Sequence, residues 1–191
     1  MHVVVEQDLE PGIIDGCRAG RADAWRALIG HFQGQVIRQM WRFSRDGRVC
    51  EELAQEVFVQ VYRSLPRYQP GAAPFEHWLR RIATRVGYQH WKRQKRERQR
   101  VPLEQIKGMA APQSLDGNEA AELLHQLLAQ LPPADRLVLT LQYLEECSLK
   151  QIADRTGWNV AVVKMRAWRA RQRLKDVLEQ SGGAELLGFK P

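Results

Sequence analysis

The sixteen residues from Val160 to Lys175 contain six lysines and arginines, no carboxylate, and an apolar residue at every third or fourth step. The apolar set is Val163, Ala167, Ala170 and Leu174, continued by Val177. That spacing is one face of an α-helix. Lys164, Met165, Trp168, Arg171, Gln172 and Lys175 then fall on the opposite side. Just upstream, Ser148 to Asn159 reads as a shorter helix and a tight turn. The Ser148 hydroxyl can accept a free N–H at the helix start, and Asn159 can do the same for the following helix. Gly157 supplies the left-handed residue that ends the first helix. Leu149, Ile152, Ala153 and Trp158 form an apolar set that can face the longer helix.

A basic helix alone is more often a solvated surface than a binding face. Here an apolar seam backs it, which leaves the cationic side for phosphate and base edges, as in a helix-turn-helix that reads the major groove. A second cationic focus lies some 70 residues earlier: Trp91 to Arg100 carries six basic residues against Glu97 alone. The chain's net charge is only +7, so everything outside the two foci is net acidic. Charge gathered in two places implies two contacts with a polyanion.

Other classes are disfavoured. Cys17, Cys50 and Cys147 have no CxxC spacing, so a reducing compartment and buried thiols are expected, not disulfides or zinc. No histidine pair has ligand spacing, no nucleophile–base pair or glycine-rich phosphate loop stands out, and no metal or catalytic site is expected. No apolar run approaches the ~20 residues of a membrane span, and residues 1–8 show no signal-peptide pattern. A cytoplasmic protein is expected. At 44% apolar, the chain can build real cores.

Strand signals are nearly absent, so the expected fold is all-α. Helices are expected over Ile13–Ala19, Ala24–Phe43 with Asp23 as cap, and Val49–Leu65, with a loop from Ser44 to Arg48. Pro66 to Pro74 must be a loop. A fourth helix runs from Phe75 into the basic tail. From Gln99 to Asn118 no face is maintained, and a flexible linker is expected there. Helices resume over Glu119–Leu131 and, after Pro132-Pro133, over Ala134–Glu145. The expected plan is two small helical domains, 1–98 and 119–180, on a 99–118 linker, with a tail at 181–191.

Several short motifs occur in a telling order: Glu52-Leu53-Ala54-Gln55-Glu56-Val57-Phe58, Phe75-Glu76-His77-Trp78-Leu79-Arg80-Arg81-Ile82-Ala83, Leu131-Pro132, and Val163 to Arg166 with Arg169 to Arg171. From about Ile13 to Leu178 the chain resembles the sigma-70 family of bacterial RNA polymerase sigma factors, in its small extracytoplasmic-function (ECF) group. The resemblance implies promoter-specific initiation with no catalysis, cofactor or small-molecule substrate. It implies core RNA polymerase as partner, through the β′ clamp helices and the β flap. It also implies promoter DNA at the −10 and −35 elements and an anti-sigma factor, often membrane-anchored, that can hold such a protein at the inner membrane.

By position, the resemblance assigns Glu52, Leu53, Gln55, Glu56 and Tyr62 to the polymerase. It assigns Tyr68, Gln69, Arg80, Arg81, Thr84, Arg85, Lys92 and Arg93 to −10 DNA. It assigns Asn159, Lys164, Met165, Arg166, Trp168, Arg169 and Arg171 to −35 DNA. The residues fit these roles physically. The polar face of the third helix is acidic on a basic protein, which suits a protein partner. Met165 and Trp168 can pack on a thymine methyl. Arg85 and Gln89 stand where many relatives carry Asn and Asp. The alternative is a helix-turn-helix regulator with an N-terminal sensing or dimerising domain, which would need neither Glu52–Phe58 nor a second basic focus.

Overall fold

A computed structural model of the chain describes residues 12–100 and 119–180, and every regular element among them is helical. In the first unit, α1 (Ile13–Arg18) leads into α2 (Ala22–Met40), α3 (Gly47–Ser64), a 3₁₀ turn (Leu65–Arg67) and α4 (Phe75–Arg100). Leu28, Phe32, Val36 and Met40 recur every fourth residue along α2 and are buried. They meet Leu53, Ala54, Val57 and Val61 of α3 and Leu79, Ala83, Val86 and Trp91 of α4 in one core. Burying a side chain of this size contributes about 1.5–3 kcal/mol, so the three stripes hold the unit together.

Local chemistry sets the ends. Helix α3 begins at Gly47, two residues before the expected Val49, because the Asp46 carboxylate accepts from the N–H groups of Arg48 and Val49 at 2.9 and 3.4 Å. Helix α2 begins at Ala22 with Asp23 inside its first turn, where a carboxylate complements the helix dipole, instead of as its cap. It ends at Met40, three residues before the expected Phe43.

The second unit comprises α5 (Glu119–Ala129), α6 (Pro133–Leu139), a π-helical turn (Thr140–Leu144), α7 (Leu149–Thr156) and α8 (Val160–Gln180). The single helix expected from Ala134 to Glu145 is thus an α-helix finishing in a widened turn. Helix α7 carries a full capping box: Ser148 Oγ accepts from Gln151 N–H at 3.3 Å while Gln151 Oε1 accepts from Ser148 N–H at 2.8 Å. Gly157 ends it at φ 75°, and Asn159 Oδ1 accepts from Ala161 N–H at 2.8 Å to start α8. Val163, Ala167 and Ala170 of α8 are buried as the stripe predicts, with Leu174 and Val177 packed at the margin. Arg173 of α8 pairs with the buried Asp135 carboxylate of α6.

The two helical units are in contact. Helices α6 and α7 pack on α4, and Leu137, Leu141, Ile152 and Val163 join the same core as Phe43 and Trp91. Gln99 and Arg100, expected to open the linker, belong to α4. The rest of the expected linker, with 1–11 and the 181–191 tail, lies outside the described residues.

Candidate nucleic-acid and protein interfaces

The outer side of α3 combines a polar rim with an apolar floor. Between α2 and α3 runs a groove of about 530 Å³ lined by Trp25, Ile29, Ile37, Phe58, Val59 and Tyr62, with Gln33, Glu51 and Gln55 around it. Tyr62 is 64% exposed, and its ring lies 5.2 Å from that of Trp25. Glu52 and Gln55 are at the surface and Glu56 is half-buried. Leu53, expected among the polymerase contacts, is a core residue: it lies on the inward stripe of α3 and is buried. Trp25, Ile29 and Phe58 fall at helical spacing with the apolar residues of α2 and α3, a pattern that would bury them. The structure leaves them half-buried in the groove wall. The missed signal was Val59, an exposed apolar residue beside Phe58 and off the core face.

Along α4, Arg81 and Arg85 stand exposed one turn apart, followed on the same side by Gln89, the half-buried Lys92 and the exposed Arg96. Lys92 Nζ sits 5.6 Å from the centre of the Tyr88 ring. Arg80 is partly covered and paired with Glu76, which also accepts from Gln35 Nε2 at 2.6 Å. Arg93 bridges to Glu56 at 3.1 Å, so a residue expected on DNA and one expected on the polymerase hold each other. Two expected −10 residues are not at this surface. Thr84 is 1% exposed, and its hydroxyl accepts from Gln39 Nε2 at 3.1 Å. Tyr68 is buried against Phe75 and Trp78, and its hydroxyl donates to the Ala73 carbonyl at 3.0 Å. That bond ties the ends of the proline-containing loop, so Tyr68 shapes the loop while Gln69 stays exposed on it.

On α8, Lys164, Arg169 and Arg171 are exposed, as are Met165 at 43% and Trp168 at 57%. Two apolar side chains left this open on a helix otherwise covered with cations match a face that meets base edges and methyl groups. Asn159 is exposed and engaged as the cap already described. Arg166 is half-buried, with its guanidinium 4.7 Å from the centre of the Trp158 ring. Its Nε has no hydrogen-bond partner among the described residues. It braces the turn more than it reaches outward. The ion pair that ties α8 to α6 is made by Arg173, not by Arg169.

Burial pushes the Cys50 thiol up to about 11, helped by the nearby Asp46 carboxylate. All three cysteines are free and buried, which fits packing and not redox chemistry. Among the described residues no cluster of three metal-ligating side chains occurs, and no helix is long and apolar enough to cross a membrane.

Two family models match the chain: sigma-70 region 2 over residues 28–97 and sigma-70 region 4 over residues 121–174. The RNA polymerase sigma factor CarQ of Myxococcus xanthus is 30% identical over 168 residues, covering 84% of this chain and 92% of CarQ. The chain belongs to the sigma-70 family. The ECF RNA polymerase sigma factor SigE of Mycolicibacterium smegmatis is 32% identical over 161 residues, and the match spans 81% of this chain and 62% of SigE's length. A solved structure of the sigma factor RpoE with the anti-sigma factor NepR from Bartonella quintana shares the fold. Its TM-score is 0.57 at 20% identity, over 81% of this chain and 96% of that one. This sigma factor is of the ECF group: a non-enzymatic initiation factor that directs core RNA polymerase to promoters. The region 2 match sets aside the alternative of a regulator with an N-terminal sensing domain.

Proposed function

We propose that this sigma factor divides its work among three surfaces. The acidic rim and apolar groove of α2 and α3, with Glu52, Gln55, Glu56 and Tyr62, dock on the β′ clamp helices of the core enzyme. The cationic stripe of α4, with Arg81, Arg85, Lys92 and Arg93 and the Gln69 loop nearby, holds the melted −10 strand, where phosphate contacts and exposed side chains capture unstacked bases. The α8 face of Lys164, Met165, Trp168, Arg169 and Arg171, capped by Asn159, reads the −35 element, with the second unit on the β flap.

The observation that carries this reading is that both cationic faces stay open although the two units are packed together. An inhibitory protein of the kind bound to RpoE takes the α2/α3 groove, because an exposed apolar channel suits an amphipathic helix. The sigma factor acts in the cytoplasm, and membrane attachment of that inhibitor would hold it at the inner membrane.

Run-off transcription tests the proposal: core polymerase freed of sigma subunits is mixed with the purified chain and a genomic promoter library. Discrete transcripts that vanish with Lys164→Ala plus Arg85→Ala support it. Transcripts unchanged by both substitutions would remove these faces from the promoter interface.

A further inference from the structure

Between the last turns of α4 and the turn joining α5 to α6 lies a small cavity of about 160 Å³. Trp91, Gln94, Lys95 and Arg98 line it from α4, and Gln130 and Arg136 from the other side. Three of these six side chains are cations, and no carboxylate is among the described residues of the lining. Arg136 sets this cluster apart from ordinary surface charge, because it is only 7% exposed. Its guanidinium lies 3.9 Å from the centre of the Trp91 ring, a ring fixed by donation from Trp91 Nε1 to the Phe43 carbonyl at 2.7 Å. It also reaches a ring nitrogen of His125 at 3.0 Å, yet its Nε has no hydrogen-bond partner among the described residues. An aromatic face and an imidazole offset part of its charge, but neither is an anion. Buried cations are normally paired with carboxylates, and the same unit does this for Arg155 with Glu145 and for Arg173 with Asp135. The charge beside Arg136 is instead that of Arg98, another cation; burial and this neighbour together lower its pKa to about 10.

We propose that this cavity binds a phosphate group, free or carried by a small molecule, with Lys95 and Arg98 donating to its oxygens and Arg136 supplying a desolvated positive charge behind them. Charge-assisted hydrogen bonds from a guanidinium and an ammonium suit a compact oxyanion. The low dielectric around Arg136 strengthens the attraction over that of an exposed cation. Size narrows the ligand. The cavity exceeds the ~30 Å³ share of one water and falls short of the ~300 Å³ at which pockets take drug-sized molecules. It therefore suits a phosphoryl group and excludes a whole nucleotide. It is also walled by both units, so a duplex cannot enter it. Lys95 and Arg98 belong to the basic tail of α4, so a phosphate held here takes up two side chains otherwise free for nucleic-acid backbone. A ligand held by this fold and not by the unfolded chain also stabilises it by mass action. None of this depends on which promoter element α4 or α8 reads.

Isothermal titration of the full chain at low ionic strength tests the site, with inorganic phosphate in one arm, methyl phosphate in a second and chloride of matched ionic strength in a third. One saturable site per chain is expected for phosphate, with a dissociation constant on the order of a millimolar, and none for chloride. Methyl phosphate binding as well would extend the site to phosphate monoesters; binding of inorganic phosphate alone would assign it to the free ion. Lys95→Gln with Arg98→Gln, both at exposed positions, should weaken binding about tenfold or more, and Arg136→Met should do the same. Should Arg136→Met fail to fold, the α4 pair carries the test. Arg42→Gln removes an exposed cation outside the cavity and should leave affinity within about twofold of the parent. No saturable binding of either phosphate, several equivalent sites per chain, or equal weakening by Arg42→Gln and by the α4 pair would overturn the proposal.

Discussion

The ring of Phe43 rests on α4 at Gly87, so close that a Cβ there would stand 2.3 Å from Phe43 Cγ and 2.4 Å from both Cδ atoms. Phe43 is fully buried, and its ring centre lies 4.7 Å from that of Trp91. A glycine inside a helix is normally a loss of about 1 kcal/mol against alanine. Here the overlap reverses the sign. Gly87→Ala should destabilise by about 1–3 kcal/mol net, as overpacked cores do. A lower urea midpoint at unchanged slope is the expected reading, and a variant as stable as the parent would contradict the packing.

Glu145 and Arg155 form an ion pair with both side chains only 15% exposed. Removing one partner leaves the other buried and uncompensated. Glu145→Ala is expected to cost about 2–4 kcal/mol and to loosen the junction between the π-helical turn and α7. Thermal unfolding checks the cost, and the double variant Glu145→Ala with Arg155→Met should recover part of it.

Lys164 and Arg166 are two positions apart on α8 and should behave differently. Lys164→Ala is expected to weaken −35 binding by about 1–3 kcal/mol and to relax base preference at one position. Arg166→Ala removes the brace on Trp158, so it should lower affinity for every sequence and also lower the melting temperature. Binding to matched and scrambled duplexes separates the two. Equal loss on both duplexes for Lys164→Ala would make it a phosphate contact.

The basic tail of α4 should contact backbone without selecting sequence. Neutralising Lys92, Lys95, Arg96 and Arg98 together should reduce the slope of log affinity against log salt by about three to four units. An unchanged slope would take the tail off the DNA.

His90 gives a pH signature. It is half-buried, and its Nε2 has no hydrogen-bond partner among the described residues. Burial lowers its pKa from the ordinary 6.5, and Arg93 and Arg136 push the same way against the weaker pull of Glu56 and Glu97. The unfolded chain therefore takes up this proton more readily than the folded one. Stability is full above about pH 6.5 and declines as pH falls through that value toward the lower folded pKa. His90→Gln should flatten the decline in urea midpoint between about pH 7 and pH 5; an unaltered decline would assign it to other groups.

Much of this was legible in the residues. The apolar stripe of α8 located its core face, and Ser148, Gly157 and Asn159 marked the turn before α8 through chemistry that acts locally. The π-helical turn at Thr140 was not legible, because Ala134 to Glu145 keeps a helical pattern throughout and only the backbone widens. Tyr68 and Thr84 were misplaced for a related reason: a polar side chain at a family position reads as surface until its partner is known. Thr84 accepts from Gln39, which lies on another helix, and Tyr68 donates to the Ala73 carbonyl at the far end of its own loop. The contact between units was hidden too, since Arg136 and Trp91 lie 45 positions apart and neither belongs to a periodic pattern that points at the other.

Protection of promoter DNA by the holoenzyme tests the central claim most directly. With a promoter selected by run-off, the assembled complex should shield two patches about 25 base pairs apart. Lys164→Ala should weaken only the upstream patch, and Arg81→Ala with Arg85→Ala only the downstream one. A single patch, or two patches weakened alike by either set of substitutions, would contradict the division of promoter recognition between α4 and α8.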